Sequence, residues 1–257
     1  MRGLWLGGIL SCSLWSSETH YSLGVGTVFM NYPSYMGSKE SQQLLLPVPD
    51  FEYKSPKTTI DKDGIEHKLF DIRELSVDLS VGGSLPVDSK SSQVRQGMPD
   101  LDLAFEVGPR LKYQLYHQTN HQLLLRLPLR AVMTTDFQEI RYRGYLITPN
   151  LNYKYQSNTI EYSIVSGPLW SNQRYNDYFY GVSKAYVTNQ REAYHATAGY
   201  SGYRNSMSIE QHQGKWKYGG FIAHFDLHGS SFEDSPLIET KEALFVGTYL
   251  SYIFYSH

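Results

Sequence analysis

The chain of 257 residues has one cysteine, Cys12, and no long uninterrupted apolar run. A single cysteine excludes an internal disulfide framework and a zinc site built from several cysteines. Because a membrane helix needs about 18 to 20 consecutive apolar residues, the sequence also excludes a helical membrane protein. The net charge is -2 and there is no basic block, which excludes electrostatic recruitment of nucleic acid.

Apolar and polar residues alternate over two long runs, residues 101–117 and 121–136. Apolar residues occupy one face of each run, and charged or amide residues occupy the other. A soluble β-sandwich shows the same alternation with its apolar face buried. A globular strand, however, is typically about 5 to 6 residues long, whereas these runs match the roughly 9 to 11 residues of a transmembrane strand plus polar ends. Their length favours a barrel that crosses a membrane.

Tyrosine is unusually abundant, at 22 residues against 11 phenylalanines and 4 tryptophans. A tyrosine ring is apolar at one end and polar at the other, which suits the aromatic girdles of a membrane interface. A tyrosine-rich soluble β-protein is the alternative. Together with the strand length, this composition predicts an all-β fold: a transmembrane, antiparallel, up-and-down β-barrel with short periplasmic turns and long extracellular loops.

Alternation and turn residues predict ten strands. They are residues 20–31, 42–53, 68–85, 101–117, 121–136, 139–156, 158–172, 193–212, 215–229 and 241–255. The count becomes twelve if residues 57–72 form a hairpin of their own. An even number places both chain ends at the periplasmic side, so that most long connections lie outside. The exception is residues 54–67, a long charged segment on the periplasmic side.

The last two predicted strands also show alternation. In residues 215–229 we expect Phe221, Ala223 and Phe225 to face outward and Tyr218 and His224 to face the lumen. The final strand carries an apolar face that ends at Phe254, similar to the C-terminal signal of outer-membrane barrels.

The first residues differ from the remainder of the chain. An apolar stretch followed by small residues resembles a secretory signal peptide, which we assign to residues 1–19, leaving 20–257 as a single outer-membrane barrel domain. The segment around Cys12 also resembles an imperfect lipobox, so acylation of Cys12 is the alternative.

Charged residues of opposite sign share the predicted inner face of two adjacent strands, where they can form a lumen network. They are Asp102, Glu106, Arg110, Lys112, Arg126 and Arg130. His224 and His228 lie on one strand face, but at about 3.3 Å per residue they stand roughly 13 Å apart, too far to bind one metal ion. No G-x-S-x-G nucleophile motif is present. We therefore expect no metal, no cofactor and no enzymatic activity.

Three segments, in order, resemble the MipA/OmpV family of outer-membrane proteins. They lie at residues 24–38, 108–113 and 167–183. The residues that carry the resemblance are Tyr32, Pro33, Tyr35, Gly37, Ser38, Gly108, Pro109, Gly167, Pro168, Tyr178, Phe179 and Gly181. The chain departs from the family pattern where Tyr180 separates Phe179 from Gly181, and at its last residue, His257, where phenylalanine is common.

The resemblance implies a non-enzymatic scaffold in the outer membrane of a Gram-negative bacterium. Such a scaffold links a murein hydrolase, a lytic transglycosylase of the MltA type, to a murein synthase in peptidoglycan turnover. The segment best placed to meet these periplasmic partners is the charged one, with Lys54, Lys57, Asp61, Lys62, Asp63, Glu66 and His67. The alternative functions are a narrow channel or a surface receptor for small solutes.

Overall fold

The computed structural model describes residues 19–61, 64–72 and 74–257, which form one antiparallel sheet of 13 strands. The strands are β1 (His20–Pro33), β2 (Ser41–Lys54), β3 (Thr58–Asp61), β4 (Gly64–Ile72), β5 (Leu75–Ser84), β6 (Leu103–Gln118), β7 (His121–Thr135), β8 (Ile140–Ile147), β9 (Asn150–Gln156), β10 (Ile160–Ser171), β11 (Gly199–Gln213), β12 (Trp216–Asp226) and β13 (Glu242–Ser256). One helix, α1 (Gln173–Tyr180), and two 3₁₀ turns, Ser89–Ser91 and Lys184–Tyr186, lie in the connections. No helix in this part of the chain has the length and apolar character needed to span a membrane.

The sheet closes into a barrel because β13 pairs with β1, with Val28 opposite Tyr249. β8 and β9 share one position in the ring, since both pair with β7 on one side and with β10 on the other. The strand is interrupted between them at Thr148 and Pro149, because proline has no N–H to donate to a strand ladder. The described strands therefore fill twelve positions. The prediction of ten strands is wrong, and the alternative of twelve is confirmed.

The two additional strands come from residues that we predicted as a connection and as part of one long strand. β3 and β4 form a short hairpin, with Thr58 opposite His67. β4 then turns back into β5, where Ile72 lies opposite Leu75. The sequence between Ile72 and Leu75 contains neither glycine nor proline. The alternation pattern therefore gave no signal for this turn.

The outer wall of the barrel is apolar on most strands, as transmembrane barrels require. Leu125 and Leu129 of β7 are exposed on the outside. β12 contradicts our expectation, because Phe221, Ala223 and Phe225 line the interior while Ile222 is exposed. The expected polarity is inverted there since this side of the lumen is itself apolar.

The four long connections, residues 34–40, 85–102, 172–198 and 227–241, lie at one end, which we call the outer end. They pack together into a cap with its own hydrophobic core, formed by Tyr35, Val87, Leu101, Tyr180, Ala196, Leu227 and Phe232. Hydrogen bonds tie the loops to one another: the Tyr35 hydroxyl donates to the carbonyl of Leu237 at 2.7 Å, and the Ser235 hydroxyl donates to that of Tyr180 at 2.7 Å. The cap covers the outer mouth.

The opposite, inner end has short turns, among them residues 55–57, 119–120, 157–159 and 214–215. The segment that we interpreted as a signal peptide, including Cys12, lies outside the described residues apart from residue 19.

Candidate functional site

The interior of the barrel contains a partly open chamber of about 890 Å³ below the cap. One wall is mostly apolar and comes from β1, β2, β12 and β13; its members are Val28, Met30, Val48, Phe221, Ala223, Phe225 and Phe245. The facing wall, from β5 to β11, is rich in hydroxyl and cationic groups; its members are Ser80, Arg110, Arg126, Arg130, Thr148, Asn150, Ser163, Arg204, Ser206 and Ser208. The volume lies within the range of small-ligand sites, but one wall has more polar and charged groups than such sites usually have.

A four-membered ion cluster supports the cationic wall. Asp78 of β5 is fully buried and accepts from Arg110 Nε at 2.9 Å, and Lys112 Nζ lies 2.6 Å from its other oxygen. Glu66 of β4 also contacts Arg110, and it lies 2.9 Å from Lys112 Nζ. Two cations at alternate positions of β6 are thus neutralised by two carboxylates on neighbouring strands. Removing one member would leave an uncompensated buried charge.

Lys217 of β12 closes the inner side of the chamber. Its ammonium lies 3.0 Å from Asp50 and 2.6 Å from Glu52 on β2, across the lumen. Lys217 also lines a second cavity of about 450 Å³ at the inner end, which we call the inner vestibule. Beside it, Glu210 accepts a hydrogen bond from Tyr249 and contacts His212 at 2.7 Å. The Lys217 cluster therefore separates the chamber from the vestibule.

The remaining members of the predicted lumen network also have partners. Arg130 pairs with Glu106 at 3.1 Å and donates to the Thr148 hydroxyl at 3.2 Å. Arg126 donates to the amide oxygen of Asn150 at 3.1 Å. Asp102 lies apart from them near the outer end, 3.5 Å from Arg143 and 3.7 Å from Arg141.

Several residues of these clusters were not identified from the sequence. They are Asp50, Asp78, Glu210 and Lys217. The sequence did contain a signal for Asp78, which alternates with Ser76 and Ser80 between apolar residues. Lys217 and Asp50 carried no such signal, because their pairing depends on closure of the barrel across the chain.

The predicted partner-binding segment is divided by the structure. Lys54 and Lys57 are exposed at the inner end. His67 Nδ1 forms a hydrogen bond with the Thr58 hydroxyl at 2.9 Å. Glu66 instead belongs to the lumen cluster. Asp61 ends β3, and residues 62 and 63, Lys62 and Asp63, lie outside the described residues.

The family-motif residues lie mainly in the cap and at close strand contacts. The Tyr178 hydroxyl accepts a hydrogen bond from the backbone N–H of Asp102 at 2.9 Å, and the guanidinium carbon of Arg143 lies 4.0 Å from the centroid of the Tyr178 ring. The Phe179 carbonyl accepts from Arg95 at 2.9 Å. Gly37 has a φ of 103°, in the left-handed region that favours glycine.

Two further motif glycines permit close approach of strands. A Cβ on Gly108 would overlap the Leu129 carbonyl, and one on Gly167 would overlap that of Pro149. Tyr32, Pro33 and Pro168 lie in β1 and β10, Pro109 in β6, and Ser38 and Gly181 in the outer connections. The motif therefore concerns the architecture of the barrel and cap.

Burial raises the pKa of the Tyr35 and Tyr180 phenols, both in the cap. Burial also lowers the pKa of Arg95, which stacks 5.6 Å from the Tyr35 ring. The tyrosines consequently stay neutral at physiological pH, and their hydroxyls act as hydrogen-bond groups.

His224 and His228 do not converge on a common point. His228 contacts Asp226 at 2.6 Å, whereas His224 lies 4.0 Å from Glu242. Across residues 19–61, 64–72 and 74–257 no group of three or more histidine, cysteine or carboxylate side chains could hold a metal ion.

Solved structures include distant likenesses to this fold. A chain described as a bacterial polysaccharide outer membrane secretin gives a TM-score of 0.47 at 7% identity, covering 91% of this chain and 99% of that chain. OmpT of Vibrio cholerae gives a TM-score of 0.41 at 8% identity, covering 92% of this chain and 97% of that chain. Neither likeness carries a functional inference.

Sequence comparison identifies outer-membrane relatives. Outer membrane protein Omp26La of Vibrio anguillarum and outer membrane protein OmpV of Vibrio cholerae serotype O1 are each 24% identical over 215 residues, covering 80% of this chain and 77% of the relative. Their location and the closed barrel place this chain in the Gram-negative outer membrane. A family model described as MltA-interacting protein MipA matches residues 23–254. Because that match spans nearly the whole barrel, the chain belongs to the MipA family.

Proposed function

We propose that this protein is a non-enzymatic scaffold of the outer membrane, which holds a murein hydrolase of the MltA class and a murein synthase at its periplasmic face. The observation that carries this proposal is the match of residues 23–254 to a family named for interaction with MltA. The scaffold would couple cutting and synthesis of peptidoglycan by holding the two enzymes together.

The geometry supports docking at the inner end. The first strand begins and the last strand ends at the inner end, where the short turns also lie, and this is the periplasmic side of bacterial barrels. The inner rim has short turns on a rigid sheet, and a rigid surface binds without a large ordering cost. Lys54 and Lys57 are exposed there and can attract acidic surfaces of a partner at low salt.

Site-specific photocrosslinking in intact cells tests the docking surface. A benzophenone amino acid at Pro56, in the exposed turn after β2, should crosslink to a lytic transglycosylase. The same probe at Phe137, which is 85% exposed in an outer turn, is the matched control and should not. Equal crosslinking from both positions, or none from inner turns, would contradict the proposal.

Charge substitution gives a second test. The double variant Lys54→Gln/Lys57→Gln should reduce capture of the hydrolase several-fold at low ionic strength, because surface charges act mainly on association. Lys90→Gln, in an exposed outer 3₁₀ turn, is the control. Capture that is unchanged in the double variant would remove this turn from the interface.

A narrow channel remains the competing function, since a chamber lies inside the barrel. If the protein is a scaffold, we expect no stepwise conductance in planar bilayers, because the cap and the Lys217 cluster lie at the two ends of the chamber. Steady unit conductance of the unmodified protein would favour the channel.

A further inference from the structure

The charges inside the barrel balance one another. The cations that line the chamber are Arg110, Arg126, Arg130, Arg204 and Lys217. Three of them form the ion pairs described above, while Arg126 donates to Asn150 and Arg204 lies over the ring of Phe225. With Lys112 there are six cations, and the same clusters contain six carboxylates, so the formal charge of the lining is zero. An ion that entered would leave water without a free counter-charge, so this lining favours a neutral occupant.

Serine hydroxyls form a row beside the apolar wall. Ser206 and Ser208 alternate on the inner face of β11, and Ser163 of β10 lies directly opposite Ser208. The hydroxyls of Ser206 and Ser208 form no hydrogen bond with any other side chain or backbone group of the described residues. A serine hydroxyl both donates and accepts, so the row can bind hydroxyl groups, which do the same.

Aromatic rings adjoin this row. On the neighbouring strand β12, Phe221 lies directly opposite Ser208. Phe225 lies two turns of the alternation further along the same face and contacts the Phe245 ring edge to face, with centroids 5.4 Å apart. A sugar ring has hydroxyls around its edge and C–H groups on its faces, and such a face packs on an aromatic ring by dispersion. The juxtaposition of free hydroxyls with aromatic rings therefore matches an uncharged sugar.

Lys217 is the partition between the chamber and the inner vestibule, because its side chain lines both cavities. It contacts Asp50, which lines the chamber, and Glu52, which lines the vestibule and is 37% exposed. Lysine has a flexible four-carbon stem. Movement of this one side chain would join the two cavities, whereas the outer end is covered by the packed core of the cap.

We propose that the chamber binds a neutral sugar, which enters from the periplasmic side through the inner vestibule when Lys217 moves aside. The hydroxyls of the sugar bond to Ser206 and Ser208, and one face of its ring packs on Phe221. The cap stays closed during entry. This inference concerns a ligand and stands independently of the proposed scaffold.

Equilibrium dialysis of the full-length protein in lipid nanodiscs, which avoid sugar-based detergents, tests binding. The probe is the neutral disaccharide N,N′-diacetylchitobiose. The comparison is chitobiose, the same disaccharide with two amines that are protonated in mildly acidic buffer. We expect saturable binding of one neutral disaccharide per barrel, at least tenfold tighter than that of the charged one. Absence of saturable binding, or equal affinity for both, would overturn the proposal.

Loss of the hydroxyl row should weaken binding. The double variant Ser206→Ala/Ser208→Ala removes two small groups without adding volume and should reduce affinity for the neutral probe at least tenfold. Thr248→Val removes a hydroxyl at an exposed position of the outer wall and should have no effect. Unchanged affinity in the double variant would exclude the row as the binding surface.

Two substitutions on β12 separate the chamber from the lipid-facing wall. Ala223→Trp fills the apolar side of the chamber and should abolish binding, whereas Ile222→Trp, on the adjacent outward position, should leave it intact. Folding of both is checked by the shift of the unheated protein on gel electrophoresis. If both folded variants bind the probe equally, the sugar is not in the chamber.

The entry route is tested with two glycines in a Cys12→Ser background. Gly214 lines the vestibule and Gly97 lies in the cap; both have a left-handed backbone, and a Cβ on either meets nothing within 4 Å. Alkylation of Gly214→Cys with a bulky maleimide should slow loading of the probe at least tenfold, and alkylation of Gly97→Cys should not. Equal loading rates, or slower loading with the cap label, would exclude entry through the vestibule.

The role of Lys217 as the barrier is tested by removing its cluster as a unit. The triple variant Lys217→Met/Asp50→Asn/Glu52→Gln leaves no unpaired charge and should load the probe at least fivefold faster. The double variant Lys241→Met/Glu233→Gln removes an ion pair of the cap and should load at the unmodified rate. Loading that is not accelerated in the triple variant would show that Lys217 is not the barrier.

Discussion

Tyr180 and Phe232 stack face to face, with ring centroids 3.8 Å apart and ring planes 8° apart. They belong to different outer connections, residues 172–198 and 227–241, and Phe232 is 1% exposed. This contact is the centre of the cap and holds two loops together that have no strand pairing with each other among the described residues.

Removal of that ring should loosen the cap. Phe232→Ala is expected to cost about 3 to 5 kcal/mol of local stability, because it creates a cavity in a packed core. Hydrogen exchange should then accelerate in residues 172–198 while the strands stay protected. Phe137→Ala, at an 85% exposed position, should change nothing, and equal effects of the two variants would contradict a packed cap.

Lys217 should be a strong stability determinant. Lys217→Met leaves Asp50 and Glu52 without their cation and should cost about 3 to 5 kcal/mol, as breaking a buried ion pair does. Lys241→Met removes the pair with Glu233, where Lys241 is 39% exposed, and should cost about 0 to 1 kcal/mol. Urea unfolding in lipid vesicles measures both; similar midpoints would show that the Lys217 pair is not effectively buried.

Gly108 should tolerate no side chain. In Gly108→Ala the new Cβ meets the Leu129 carbonyl of the adjacent strand, so β6 and β7 must separate locally. We expect a clear loss of folded barrel in refolding assays. Gly97→Ala is the control: its Cβ meets nothing within 4 Å, and only the left-handed backbone, with φ 81°, costs about 1 to 2 kcal/mol.

The cap should respond to pH through Glu40 and Glu239. Burial alone would raise the pKa of Glu40, but hydrogen bonds from Ser38 and from the Gln93 amide hold it below its ordinary value. Burial and the neighbouring Glu40 raise the pKa of Glu239. Glu40 therefore stabilises the cap above its unfolded pKa and loses this effect as pH falls through its folded pKa. Glu239 does the opposite, and its contribution disappears as pH rises through its raised folded pKa.

Carboxyl NMR titration measures this pair. We expect a Glu239 midpoint above, and a Glu40 midpoint below, the ordinary value of about 4.3, with the loops most ordered between the two. Glu239→Gln should remove the loss of order on the alkaline side. Two unshifted midpoints would show that the carboxylates do not interact.

Strict alternation over long runs predicted β6, β7 and β13 with their faces, because a barrel strand repeats every two residues. The β3–β4 hairpin was predicted only within the twelve-strand alternative, since charged residues such as Glu66 suggested a solvated loop, whereas Glu66 contacts Arg110 and Lys112 in the lumen. The inverted face of β12 has the same origin: polarity alone does not distinguish lipid from an apolar chamber.

The chamber and the cap depend on contacts between distant parts of the chain. Lys217 meets Asp50 only because the ring closes, and Tyr180 meets Phe232 only because four connections gather at one end. No local pattern records either pairing.

Among residues 19–61 and 64–72, β2 and β3 are joined by two residue pairs, Tyr53 with Ile60 and Lys54 with Thr59, whereas β1 and β2 are joined by fourteen. The β2–β3 junction is therefore a weakly paired part of the barrel wall. A change in bilayer thickness that strains the barrel would be expected to deform the wall first at this junction, because fewer backbone hydrogen bonds hold β2 to β3 than hold β2 to β1.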